Sequence, residues 1–436
     1  MSKNILLSRS FVFILFAIFL GSIYSVGFLS DQKDFAGIII PYSISFCIYI
    51  LFVFKLDRSD YFFGLLCLAA VCRVLLLFSF PNLSDDIYRF LWDAHLILDG
   101  QNPYLLLPDN IVTQENQALY DLLNSPSYYS PYPPVAQIIY SIAAYVSDAD
   151  LQIFSLVIKL FTLTAELGTI YYMVKLLDLL DLARTRVFIY ALNPLIIIEL
   201  MGNLHFESFM ILFVMGTVYH LIKSNYTMSS VAFVLAIASK LLPLMFTPFL
   251  LAYLGIKRSI RFLIITGILT MVVFIPIIIG IIDGTFLSSV GLYFQKFEFN
   301  ASLYYLLREV GFLIYGWNTI GTLGPTLALS TLGAICFVWY KQRSKIVPSN
   351  LFLYLLFTIT IYLFAATTVH PWYVALPLAF CLFTEFRFPM IWSGLIYFTY
   401  YNYSQTPYQE NLWIVFVEYA IVFSMVIFEL RKLKRT

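Results

Sequence analysis

Ser84-Asp85-Asp86-Ile87-Tyr88-Arg89-Phe90-Leu91-Trp92-Asp93-Ala94-His95, followed by Asp99-Gly100-Gln101-Asn102-Pro103-Tyr104, is the densest run of reactive side chains in the sequence. An ionised aspartate can take a proton as a general base, and two adjacent acids titrate as a pair. Asp86, Arg89 and Asp93 fall at i, i+3 and i+7 and share one face of a helix. Ile87, Phe90, Leu91, Ala94 and Leu98 fall on another. The pattern predicts an amphipathic helix along a membrane surface or lining a cavity, stopped by Gly100 with Pro103 after it. A structural role fits the same residues. Ser84 or Asp85 can cap the helix, Asp86 is favoured by its dipole, and Arg89 can be a surface ion-pair partner. Capping and catalysis do not exclude each other.

Further along, Tyr128-Tyr129-Ser130-Pro131-Tyr132-Pro133-Pro134 carries two adjacent prolines suited to the first turn of a helix over 133–147. At 1.5 Å per residue that helix is about 22 Å long, short for a crossing. It reads as a re-entrant or interfacial helix packed back on the bundle. Asn193-Pro194 kinks a later segment, with Glu199, Asn203, His205 and Glu207 after it. Ser239-Lys240-Leu241-Leu242-Pro243, Phe299-Asn300-Ala301-Ser302-Leu303-Tyr304-Tyr305 and Val369-His370-Pro371-Trp372-Tyr373 complete the set. Ionisable groups at membrane depth are costly and usually face a cavity or a partner. The plainer alternatives are interfacial histidines at His205 and His370, a Lys240 that snorkels to the headgroups, and structural roles for Glu199 and Glu207.

The elements that must hold these residues follow from composition. The 436-residue chain is 61% hydrophobic and 12% charged, against roughly a quarter charged in soluble domains, and its mean hydropathy is +0.85. Water-soluble, nucleic-acid-binding and disordered classes are excluded. A formal net charge of +1 gives no global attraction to acidic partners. Apolar stretches broken by short polar turns suit helices that need about 20 residues to cross, and no β-barrel alternation is present. The predicted fold is all-α: a polytopic transmembrane helix bundle of about 14 crossings. These lie near 10–29, 36–55, 61–80, 150–177, 187–203, 206–222, 226–240, 241–256, 260–282, 319–340, 349–369, 372–386, 389–403 and 411–430. The run from Ser10 to Leu29 lacks a cleavage site and reads as an uncleaved first span. Cys47, Cys67, Cys72, Cys336 and Cys381 show neither ligand spacing nor a disulfide framework.

Charge placement sets the orientation. With the N-terminus inside, 19 of the 26 basic residues, among them Lys3, Arg58, Arg184, Arg186, Lys257, Arg258, Lys434 and Arg435, fall on the cytoplasmic side. Both termini are then cytoplasmic, and every long polar connection lies outside. The expected organisation is three N-terminal transmembrane helices in 1–80, an outer loop over 81–149 with interfacial helices, and a bundle over 150–436 with a second outer loop at about 283–318.

Ser84 to Asp93, Gly100-x-Asn102-Pro103-Tyr104 and Tyr132-Pro133-Pro134 resemble bacterial multi-pass mannosyltransferases of the GT-C superfamily. The branch most similar uses polyprenol-phosphate mannose. Asn193-Pro194, Glu199, Asn203-x-His205, Lys240 to Pro243, Phe299 to Tyr304 and His370 to Tyr373 continue the likeness in order, over about residues 80–375. The resemblance implies an inverting transfer of a hexose, mannose first among them, from a polyprenyl-phosphate donor to a glycan or lipid-linked glycan acceptor. One carboxylate base serves such a displacement, and the resemblance places it at Asp86 or Asp85. It implies substrate binding by Arg89, Asp93, Tyr132, His205, Lys240, Asn300, His370 and Tyr373. The leaving phosphate needs positive charge from Lys240, Arg89, His370 or a divalent cation such as Mg or Mn. The expected setting is a bacterial inner (plasma) membrane, with membrane lipids as partners, no nucleic acid and the active site outside. Two other classes stay open at this point: a lipid-linked glycan transporter or flippase, and a glycan ligase or polymerase.

Overall fold

The computed structural model describes residues 8–56, 60–288, 291 and 296–433. The orientation assigned to Lys3, Arg58, Lys434 and Arg435, and part of the second outer loop, lie outside the described residues. Among those described there is no β-strand, only one isolated bridge between Phe299 and Thr368.

The chain opens with α1 (Arg9–Tyr24), α2 (Phe35–Phe54) and α3 (Phe62–Leu76). Two longer helices of the 81–149 segment follow, α4 (Asp86–Leu98) and α5 (Pro134–Ser147), and then the long α6 (Leu151–Leu179). After these come α7 (Glu207–Ile222), α8 (Tyr226–Ser239), α9 (Ile256–Val273) and α10 (Ile275–Asp283). The second outer loop contains α11 (Leu303–Tyr315). The chain closes with α12 (Ile320–Gln342), α13 (Pro348–Ala365), α14 (Ala375–Cys381), α15 (Phe388–Leu395) and α16 (Leu412–Leu433).

Six described helices are long and apolar enough to cross a membrane, and eight if each of two bent pairs counts as one. The others are shorter than a bilayer requires. The segment expected at 187–203 is broken: Arg184–Ala191 and Ile196–Gly202 meet at 60° across Asn193-Pro194. The segment expected at 260–282 bends by 71° where Pro276 follows Phe274-Ile275. In both, proline removes a backbone donor and clashes with the preceding turn. The second outer loop is less polar than expected. α11 exposes Leu306, Val310, Leu313 and Ile314 along one side, at the three- and four-residue spacing of an amphipathic surface helix.

Ionisable groups inside the bundle are met by an opposite charge or by hydrogen-bonding groups, as low-dielectric surroundings demand. Arg73 and Glu166 are fully buried and 2.9 Å apart, and Tyr190 donates to the same carboxylate at 2.8 Å. Buried Lys159 donates to the carbonyls of Leu76 and Ser79 at 2.9 and 2.6 Å. Its ammonium thus satisfies orphan carbonyls at the end of α3.

The outer loop has its own small core. Ile87, Phe90, Leu91 and Ala94 of α4 pack with Ala136, Tyr140 and Ala143 of α5, with Phe154 and Ile158 of α6, and with Leu204, Phe206 and Phe209. Locally α4 ends as its sequence dictates. Gly100 has φ +74°, and the Gln101 amide donates to the Leu96 carbonyl at 2.8 Å, closing the helix in a Schellman arrangement. α5 starts on Pro134 and leaves Ile138, Ile142, Tyr145 and Val146 exposed on its far side.

Orientation has a direct test in a background lacking the five native cysteines. A cysteine at exposed Asn110 should react with an impermeant thiol reagent in intact cells, and one at exposed Ala183 should not. The reverse pattern would turn the 81–149 loop to the cytoplasm. Asn300 is fully buried and is no place for such a probe.

Candidate active site

Asp85 and Asp86 open α4, but neither behaves as a simple cap. Asp85 stands at the N-cap position and makes no side-chain capping bond. The Asp86 amide donates instead to Ser84 Oγ at 3.4 Å. Asp85 is exposed, and Asp86 is half-buried. Partial desolvation, then the neighbouring carboxylates of Asp86 and Asp31, raise Asp85 above the usual aspartate value, while Lys33 lowers it. The turn between α1 and α2, Asp31 to Asp34, thus borders this end of the site. Gln32 Nε2 also donates to the Leu83 carbonyl there at 3.2 Å. Sequence reading missed this turn, because nothing local links it to Asp85. Asn124 Nδ2 donates to Asp86 Oδ1 at 2.9 Å and leaves the other oxygen open.

Arg89 and Asp93 do not lie on a surface. Both are fully buried and form an ion pair at 2.8 Å. Arg89 Nη1 donates to the Ser125 carbonyl at 2.6 Å. Asp93 Oδ2 accepts from Ser130 Oγ and, at 2.9 Å, from Gln137 Nε2. The pair ties the returning segment 125–137 to α4. Tyr132 belongs to the same clasp: its carbonyl accepts from the Tyr104 hydroxyl at 2.6 Å, and its ring meets Phe90 edge-on at 5.0 Å.

The remaining candidates converge although they lie far apart in sequence. His205 stacks on Trp372 with ring centroids 3.5 Å apart, and Trp372 stacks on His370 at 4.5 Å. His370 in turn stacks on Phe299 at 4.7 Å. Lys240 lies over the Tyr373 ring at 4.3 Å, and its ammonium pairs with buried Glu207. Lys240 is therefore neutralised by a partner rather than snorkelling freely. Glu199 is fully buried and accepts from the Tyr400 hydroxyl at 2.8 Å and from Asn203 Nδ2 at 3.3 Å. His205 Nε2 stands 3.3 Å from the same carboxylate, off the hydrogen-bonding direction. His370 Nδ1 also has no partner. Burial first, then His205 and Lys240, hold His370 well below the ordinary histidine value. At neutral pH it can donate or accept a hydrogen bond but supplies no positive charge.

Tyr403 extends the ring stack: its ring is 6.0 Å from Phe299 and 5.9 Å from Tyr400, whose hydroxyl donates to Glu199. It sits in a run of tyrosines, Tyr400-Tyr401-Asn402-Tyr403, where the sequence offers no sign of which one matters. Asn300 faces inward, away from the ring stack. Among the described residues no three His, Cys, Asp or Glu side chains gather to hold a metal ion.

Beside the cluster runs a small open cleft between α12 and α13. Gly324, Ala328 and Thr331 of α12 and Tyr362 and Ala365 of α13 line it, and Tyr373 lies at its edge. Small residues at i, i+4 and i+7 leave the groove, and Tyr373 connects it to Lys240.

Residues 64–255 match the family model described as alpha-(1->6)-mannopyranosyltransferase, N-terminal domain. The match spans Asp85, Asp86, Arg89, Asp93, Tyr132, His205 and Lys240, and stops before Asn300, His370 and Tyr373. No curated protein and no solved structure matches the chain. Over residues 64–255 the chain is thus similar to the N-terminal domain of a GT-C-type mannosyltransferase family, and the protein is a membrane glycosyltransferase that moves mannosyl groups from a sugar donor to a glycan acceptor.

Proposed function

We propose that the mannosyl donor is a polyprenyl phosphate, that transfer inverts the anomeric carbon, and that Asp86 is the general base. The reaction then takes place on the outer face of a bacterial inner membrane, with both termini cytoplasmic. The observation that carries this reading is convergence. A lysine, a ring stack bearing unpaired imidazole nitrogens and a cleft meet at Tyr373, and the half-buried Asp86 carboxylate opens α4 with one oxygen unbonded. A base, a polar seat for a phosphate and a groove for a prenyl chain are the three needs of such a reaction.

In the displacement, the acceptor hydroxyl gives its proton to Asp86 as its oxygen bonds to the anomeric carbon. The bond from that carbon to the phosphate oxygen breaks on the opposite side, so one carboxylate suffices and configuration inverts. Asp86 is favoured over Asp85 because it is half-buried and held by Asn124, whereas Asp85 is exposed and makes no capping bond. The departing phosphate gathers negative charge, and Lys240 meets it by sharing its ammonium between Glu207 and the phosphate. His370 contributes a hydrogen bond through a neutral ring. Arg89 and Asp93 act at one remove, by holding the loop around Asp86.

Removing Lys240 alone would strand the Glu207 carboxylate in a buried place. The informative variant is therefore Lys240→Met combined with Glu207→Gln, which removes both charges. Turnover of the reconstituted enzyme should fall about 10²-fold, the scale of losing one preorganised charge-stabilising group, with folded yield unchanged. Wild-type rates in this double variant and in His370→Ala would assign both groups a structural role.

A further inference from the structure

Asn300 sits in a motif from which a substrate contact is expected, yet its bonds point into the protein. It is fully buried with φ +46°. Its amide N–H donates to Glu410 Oε1 at 2.6 Å, and its carbonyl accepts from the Tyr419 hydroxyl at 2.8 Å. Its side-chain Nδ2 donates to Glu418 Oε1 at 3.1 Å. Trp392 Nε1 donates to the same oxygen at 2.7 Å. Glu418 lies in α16, 2% exposed, far along the chain from the segment matching the mannosyltransferase domain. A buried acid is costly unless hydrogen bonds satisfy it, and here two donors converge on one of its oxygens.

What the carboxylate holds in place is one residue away. The Phe299 amide donates to the Thr367 carbonyl at 3.1 Å, and its carbonyl accepts from the Val369 amide at 2.8 Å. These two bonds, with Thr368 Oγ1 donating to the Phe297 carbonyl at 3.0 Å, fix the extended segment that ends at His370. The Phe299 ring then covers the His370 ring at 4.7 Å. Asparagine adopts a left-handed backbone more readily than other side-chain-bearing residues, and its orientation here is set by the groups it bonds. Those groups are Glu418, Glu410 and Tyr419.

We infer that Glu418 is a positioning residue for mannosyl transfer: through Asn300 and Phe299 it sets where His370 stands. This rests on the reading that His370 serves the reacting centre. Without the carboxylate, Asn300 Nδ2 and Trp392 Nε1 lose their acceptor, the turn at Asn300 relaxes and the Phe299–His370 stack shifts. A displacement on the order of 1 Å at a catalytic group costs about 10²-fold in rate. Glutamine keeps an oxygen for both donors, and its NH2 takes the place of Glu418 Oε2, which has no partner.

The test is a kinetic cycle on the full-length reconstituted enzyme, with kcat and donor KM measured for Glu418→Ala, Glu418→Gln, His370→Ala and Glu418→Ala/His370→Ala. Glu418→Ala should lower kcat by about 10–100-fold with little change in donor KM, and Glu418→Gln should recover most of it. The double variant should be no slower than His370→Ala, because residues acting through one another are not additive. Should the alanine variant not fold, Glu418→Asp keeps the carboxyl acceptor on a shorter arm. Its smaller loss of kcat should likewise vanish in the His370→Ala background. Additive losses in the double variant, or wild-type kcat in Glu418→Ala, overturn the inference while leaving His370 at the centre. Wild-type kcat in His370→Ala overturns the reading of His370 and the inference with it.

Discussion

Replacing Asp86 with asparagine is expected to lower mannosyl transfer by about 10²–10⁴-fold, the usual range for loss of a general base. An amide has the shape of the carboxylate but cannot accept the proton. It can still accept the Asn124 bond that Asp86 Oδ1 now takes, so the loop should keep its form. The capping alternative predicts something different. Asparagine caps a helix about as well as aspartate, and in the structure the Asp85 side chain makes no capping bond. A rate loss with normal folded yield therefore points to proton transfer. Asp85→Asn should cost much less. Initial rates of the two single variants decide it: near-normal turnover in Asp86→Asn removes it as the base, and a large loss in Asp85→Asn instead moves the role there.

The second large effect is on stability. Asp93→Ala leaves the Arg89 guanidinium buried with its carboxylate partner gone, and removing one member of a buried pair costs about 3–5 kcal/mol. Ser130 and Gln137 lose their acceptor in the same step. The expected result is a lower thermal unfolding midpoint in detergent and a lower folded yield, with any activity loss following from them. Asp86→Asn should leave the midpoint unchanged. An Asp93→Ala protein that unfolds at the wild-type midpoint but no longer transfers would instead put Asp93 in contact with substrate.

Much of the architecture was legible in the residues. The start and stop of α4, the proline start of α5 and the break at Asn193-Pro194 are written in local signals that the structure follows. Legibility failed where partners are distant. Arg89 and Asp93 look like a polar surface stripe because helical spacing says nothing about a lid, and the lid arrives from residues 125–137. The stack of His205, Trp372, His370 and Phe299 joins three separate segments, so each histidine reads singly as an interfacial residue. The apolar side of α11 was visible as Leu306, Val310, Leu313 and Ile314. The surrounding charges of Glu298, Arg308 and Glu309 made that stretch read as a polar loop. Glu418 carries no sequence signal beyond being an acid inside the last apolar stretch, and only its bonds to Asn300 and Trp392 give it a part to play.

Donor identity and stereochemistry test the proposed reaction together. The purified protein, reconstituted in liposomes with its active face accessible, would be offered mannose on a polyprenyl phosphate and mannose on a nucleotide, each with a glycan acceptor, and the product's anomeric configuration would be read by NMR. The account predicts transfer from the lipid-linked donor alone, with the anomeric centre inverted. Transfer from the nucleotide sugar, or a product that retains the donor's configuration, would contradict it.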